Sequence, residues 1–370
     1  MKDTHKYFAN IAVFTIIVFG FMIWAFIKPS EEISRTERRR LAQLPKFSFT
    51  EVVSGKSSFM SDFDTYAADQ FPARDSFRNI HTFVSYNLMG RKEVNDFYKS
   101  QNYIGKLEYG IHQDSIDWSL NRMNYINDRY LANSNVYFAI IPDKGYYLTK
   151  DSIYPHVDYD LFMKKMQDGI AFADIIDLRG ELNAEDYYLT DTHWKQEEIL
   201  KVARHLSKAM GNEFDYDFSS EVVKTDFAGV YYGQSAINVP KDSITLLKAD
   251  YMKDLVVTCY DTGKAEIVDI YDMEALNGMD PYEVYLTGSK ALITIENPNA
   301  ATDKELVIFR DSFGSSIAPL MAGNYKKITL VDIRYINPGL LDRFVDFEGC
   351  DVLFLYSEMI LNNSVGQFVK

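Results

Sequence analysis

The sequence predicts an α/β fold, a mostly parallel sheet flanked by helices and carried behind an N-terminal membrane anchor. Three observations predict it. Short apolar runs at 136–141, 306–309 and 352–356 show no polar alternation, the pattern of strands buried on both faces. Segments of helical periodicity lie between such runs, as where Ile199, Val202, Ala203 and Leu206 recur at helical spacing. Ahead of all this, residues 7–27 run without a single charged side chain.

The chain has 370 residues, 47% of them hydrophobic, enough for one large α/β domain or one domain with an appended segment. Its net charge of −14 argues against nucleic acid or an anionic lipid surface as partner and favours a neutral or weakly charged polymer. The 15% aromatic content suits a packed core and is compatible with sugar-stacking surfaces. Cys259 and Cys350 lie far apart with no metal or redox spacing; buried free thiols are expected, with a disulfide as the alternative outside the cytoplasm. Neither the cysteines nor the six histidines form a metal set, so no metal and no cofactor is expected.

Taken in order, residues 1–27 read as a short tail and an uncleaved transmembrane signal anchor, with Tyr7 and Trp24 suited to the two interfaces. Lys2 and Lys6 precede the span while Lys28, Arg35, Arg38, Arg39 and Arg40 follow it, so charge alone leaves the orientation open or even points the other way. A short tail before a single span places the rest of the chain outside the cytoplasm. Residues 28–100 form a tether, charged and carrying Pro29 and Pro45, and then an interrupted helical stretch from about 52 to 91. Its Arg74, Asp75 and Arg78 read as a solvated helix face.

Residues 101–370 read as the α/β domain, with strands at 136–141, 174–178, 306–309, 328–333 and 352–356. Between 221 and 297 the signals are shorter and strand-like, an insertion of antiparallel character.

Two stretches carry chemistry. Tyr188-Leu189-Thr190-Asp191-Thr192-His193-Trp194 offers a carboxylate and an imidazole two positions apart, on one side of an extended or turning segment. The helical pattern that follows places His193 at the mouth of a helix, with Asp191 or Thr192 as its cap. In the second stretch, Ser312 stands where a buried strand turns into a helix over 314–321, with Pro319 suited to that helix's first turn. Such a turn sits at the carboxyl edge of a sheet, where α/β proteins bind their ligands, and free amides at the helix start would hold an oxyanion. A serine needs a base, and the base needs an orienting carboxylate, so Ser312, His193 and Asp191 together would make a hydrolase-type triad. Asp311 either orders the serine turn or caps the helix.

These blocks, Tyr-x-x-Thr-Asp-Thr-His-Trp and a later strand ending in Asp-Ser-Phe, resemble the SGNH-hydrolase-like exopolysaccharide O-acetyltransferases of the alginate-acetylation (AlgX/AlgJ) type and the related DHHW proteins. Further echoes are residues 37–42 with Leu44-Pro45, residues 69–74, and Ile141-Pro142-Asp143-Lys144. The resemblance implies Ser312 as nucleophile, His193 as base and Asp191 as its partner. It also implies an exopolysaccharide substrate and, as acetyl donor, a membrane-bound O-acyltransferase. The sequence departs from the pattern at Arg310, where a glycine commonly stands, and has no clear counterpart of the Gly and Asn oxyanion blocks. Ser312 itself, Gly229 in its glycine-bearing loop, Tyr188 and Arg310 are the candidates for oxyanion and substrate binding, with structural turn-making as the other reading of the Gly229 loop. The expected function is a membrane-anchored extracytoplasmic O-acetyltransferase. An acetyl-esterase with the same triad and a non-catalytic polymer-binding scaffold subunit are the alternatives.

Overall fold

The computed structural model describes residues 2–47, 49, 58–149, 154–261 and 263–365. The start of the helical pattern expected from 52 lies outside them. The chain forms two compact units, one of residues 1–95 with 233–237, the other of residues 96–232 with 238–370.

In the first unit, helix α1 (Lys2–Ile27) is long and apolar enough to cross a membrane, with a mean hydropathy of 2.3 over His5–Ile27 and its apolar side chains exposed. Strand pairs Ile33–Ser34 and Arg39–Arg40 run antiparallel. Helices α2 (Phe59–Asp69) and α3 (Arg74–Phe83) follow. The charges of α3 do not form the expected solvated face. Arg74 and Arg78 turn inward to the buried carboxylate of Glu37, and only Asp75 stays half exposed. Arg39 grips Asp69 through both guanidinium nitrogens at 2.9 and 2.6 Å, and this hydrogen bonding holds the carboxyl down to about 2.

The second unit is built on an eight-stranded sheet: β1 (Asn135–Ile141), β2 (Asp174–Asp177), β3 (Val256–Cys259), β4 (Glu266–Val268), β5 (Leu292–Glu296), β6 (Glu305–Arg310), β7 (Lys327–Val331) and β8 (Asp351–Ser357), in spatial order β4-β3-β5-β7-β6-β8-β1-β2. From β7 to β2 every pairing is parallel. The stretch expected as an insertion contributes more than an excursion: β3, β4 and β5 extend the sheet antiparallel beyond β7, while Ser219–Phe227 and Asp242–Lys248 pair separately.

The unbroken apolar runs are explained by burial on both faces. Leu306, Ile308, Leu353 and Leu355 pack under α6 (Leu200–Ala209) and α7 (Gly314–Met321). Val307, Phe309, Val352 and Phe354 pack on the opposite side under α4 (Gln113–Tyr130) and α5 (Tyr159–Gly169). Both cysteines are free and buried. Pro319 lies in the second turn of α7, not the first, and the helix ends two residues later at Met321.

Candidate active site

Ser312 stands just beyond β6, half-buried at the carboxyl edge of the sheet, in the turn that opens α7. The turn is tight. A Cβ on Gly314 would lie 2.7 Å from Cβ of Arg310, so only glycine fits there. Asp311 orders this turn rather than the helix: Oδ1 accepts the Phe313 amide at 3.0 Å, and Oδ2 accepts the amide and hydroxyl of Ser357, at the end of β8, at 2.8 and 2.6 Å. The amides of Phe313, Gly314 and Ser315 are all spent inside the turn, against the expectation of free donors at the helix start.

Across from the serine, Nε2 of His193 is 2.8 Å from Ser312 Oγ, and Nδ1 is 2.7 Å from Asp191 Oδ1. A carboxylate only accepts, so Nδ1 carries the proton and Nε2 is left to accept from the serine hydroxyl. The three expected residues therefore lie in one hydrogen-bonded chain. Asp191 does not cap the helix that follows it in sequence. Its Oδ1 also takes the His193 amide and its Oδ2 the Val230 amide at 2.7 Å, while α6 begins only at Leu200, after a 3₁₀ turn at Gln196–Glu198.

The loop that presents Asp191 and His193 is held from several sides. Asp242 accepts the amides of Leu189 and Thr190 at 2.8 and 2.9 Å and the Thr190 hydroxyl as well. Gly229 gives its amide to Thr190 Oγ1 at 2.8 Å, and a Cβ on it would fall 2.4 Å from Asp191 Cβ. Its place is therefore to let one backbone segment lie against another. Beneath the loop, the wholly buried Lys144 points its ammonium at the carbonyls of Asp191 (2.6 Å), Tyr188 (3.1 Å) and Leu189 (3.4 Å).

Two candidates sit elsewhere than expected. Tyr188 and Arg310 are fully buried, and the hydrogen bonds they make are inside the protein, with Nε of Arg310 left without a partner among the described residues. Tyr188 packs edge-on against Phe227 with its hydroxyl 3.4 Å from that of Tyr285. The Arg310 guanidinium reaches the carbonyls of Gly288 and Asp311, tying a neighbouring loop to the serine turn. Both are supports.

That loop supplies a residue sequence reasoning missed. The ring of Tyr282 stacks on His193 at 3.8 Å and 11°, and its hydroxyl donates to Ser316 Oγ at 2.9 Å, which also accepts Nε1 of Trp194. Asp280-Pro281-Tyr282 reads only as the start of a short turn, and nothing in it points to a histidine far back in the chain. Lys144 was visible only as part of a resemblance, although a lysine just past a buried strand was the available signal.

Burial pulls the Lys144 ammonium down to about 8, against the attraction of Asp143, Asp191 and Asp242. The unfolded lysine binds its proton up to about 10.4, so between these values the unfolded state holds more protons and stability rises with pH. Lys144→Met removes this contribution. The difference between wild-type and variant urea midpoints should change across about pH 8 to 10.4, with the wild type gaining relative to the variant. A constant difference would show that the ammonium titrates normally.

A mostly parallel α/β sheet flanked by helices, with Ser312, His193 and Asp191 hydrogen-bonded at its carboxyl edge, is what these features define. Solved structures share the fold. The chain is similar to a DHHW family protein from Eubacterium siraeum DSM 15702 (19% identity, TM-score 0.59, covering 75% of this chain and 98% of that one). It is likewise similar to Bacillus cereus PatB1 carrying a sulfonyl adduct (19% identity, TM-score 0.58, 75% and 100%). At such identities the likeness establishes the fold. No family model and no curated protein matches the chain.

Proposed function

We propose that the chain is a membrane-anchored, extracytoplasmic O-acetyltransferase acting on an exopolysaccharide. The observation that carries the reading is the hydrogen-bonded chain Asp191–His193–Ser312 at the carboxyl edge of the sheet. The resemblance of the two sequence blocks, the fold shared with a DHHW family protein, and α1 support it.

In this reading Ser312 Oγ loses its proton to Nε2 of His193 and attacks the donor's acetyl carbonyl. Asp191 steadies the imidazolium, and the Ser312 amide donates to the developing oxyanion. The tetrahedral intermediate collapses to acetyl-Ser312, and the proton passes from His193 to the departing group. A sugar hydroxyl then gives its proton to His193 and attacks the acetyl carbonyl; as the ester bond to Ser312 breaks, His193 returns that proton to Ser312 Oγ, leaving the acetylated sugar and the free serine. The donor is a multipass membrane-bound O-acyltransferase that brings acetyl groups across the bilayer. Tyr282 keeps the imidazole in plane by stacking on it.

The test incubates the full-length chain in detergent with a chromogenic acetyl ester, with and without an oligosaccharide acceptor. Acetylated sugar together with a mass shift of one acetyl group on Ser312 is the expected result. Release of acetate alone, unaffected by acceptor, makes the protein an esterase. No turnover by folded protein moves the assignment to a polymer-binding scaffold.

A further inference from the structure

Helix α3 is amphipathic the wrong way round for a helix in water. Arg74, Arg78 and Thr82 share one face, and that face points into the protein. Arg78 donates to the carbonyls of Gly233 and Gln234 at 2.9 and 2.6 Å and lies 3.3 Å from Glu37, while Thr82 donates to Ser235 O at 3.0 Å. Phe77, Ile80 and Phe83 occupy the opposite face and are 44%, 58% and 58% exposed. A helix of a water-soluble protein buries its apolar stripe and solvates its polar one. Here the polar stripe is satisfied within the first unit and the apolar stripe is turned out. Leu88 and Met89, just beyond the helix, and Phe71, just before it, enlarge the exposed patch.

The patch is continuous with α1. The ring of Phe21 lies 5.5 Å from that of Phe71 and 5.6 Å from that of Phe77. Phe21 is six residues before the last residue of α1, hence about 9 Å below the end of the span at 1.5 Å per residue. The α3 face therefore meets α1 at the depth, about 5 to 10 Å, to which interfacial helices sink their apolar side.

From this geometry we infer that α3 lies in the plane of the bilayer, with Phe77, Ile80 and Phe83 in the acyl boundary beside α1. The occupant is lipid, because the patch continues the surface of a helix whose apolar side chains are exposed to the same medium, and no charge interrupts Phe77, Ile80 and Phe83. Anchor and α3 together give the first unit two points of attachment rather than one swivel. The inference rests on α1 spanning the membrane.

The experiment uses full-length chain in phosphatidylcholine–phosphatidylglycerol liposomes, with a nitroxide attached in turn at Ile80→Cys, Phe77→Cys, Phe14→Cys in α1, and Lys164→Cys on an exposed site of the second unit. Collision rates with oxygen and with a water-soluble nickel chelate are compared. At positions 80 and 77 oxygen collisions should exceed nickel collisions, as at 14, with the ratio reversed at 164. Nickel accessibility at 80 and 77 like that at 164, with 14 still in lipid, overturns the inference alone. Protection at 80 from both reagents also overturns it, in favour of a protein partner on this face. A nickel-accessible label at 14 removes the anchor and the inference with it.

Discussion

Replacing Ser312 with Ala should lower kcat for an acetyl ester by on the order of 10⁴ to 10⁶, with the fold unchanged. The size follows from the loss of the covalent intermediate, since Ser312 Oγ is the atom placed 2.8 Å from the base to form the ester bond. The fold survives because the turn does not depend on that hydroxyl. Asp311 holds it through Phe313 and Ser357, and the Gly314 amide closes it on the Asp311 carbonyl at 3.1 Å. Initial rates measured beside thermal midpoints separate the two effects. Turnover within a few-fold of wild type by the alanine variant would sink the acyl-enzyme mechanism.

Asp191→Asn should be nearly as severe, lowering kcat by about 10³ to 10⁴ with KM little changed. The carboxylate accepts on both oxygens, Oδ1 from His193 and Oδ2 from Val230. An amide has one acceptor oxygen, so one side must face a donor with its NH₂ group. If the NH₂ faces His193, Nδ1 becomes an acceptor and Nε2 carries the proton, the wrong tautomer to receive one from Ser312. If it faces Val230, two donors meet at 2.7 Å and the loop shifts. The same substitution at Asp177, on an exposed hairpin of charge with Arg179, should leave rates unaffected. A kcat for Asp191→Asn within tenfold of wild type would show that the carboxylate only supports the loop.

Much of this was legible along the chain because it is local. The runs at 306–309 and 352–356 have no polar alternation, which fits only strands covered on both sides, and β6 and β8 are covered by α6 and α7 on one face and α4 and α5 on the other. Asp191 and His193 are two residues apart, and their 2.7 Å contact is made across a bend in which Asp191 Oδ1 also accepts the His193 amide. The Ser312 turn was visible because a buried strand, an Asp-Ser pair and a glycine succeed one another within a few residues.

Other features were hidden for a physical reason. Arg74 and Arg78 look like solvent-facing charges because the sequence alone does not show that Glu37 is buried to receive them. Arg310 and Tyr188 look like binding residues because their types are polar; only packing shows that Gly288, Asp311 and Tyr285 already occupy them.

By itself, then, the sequence determined the apolar span, the five parallel strands of the sheet, and the three side chains that meet at its edge, since each is written in a short stretch by periodicity or spacing. Only the tertiary structure decided the antiparallel extension of the sheet, the support of the site by Tyr282, Lys144, Gly229 and Asp242, and the outward face of α3. Those depend on pairs of groups far apart along the chain. Burial, stacking and hydrogen bonding between such pairs leave no periodic trace in either segment alone.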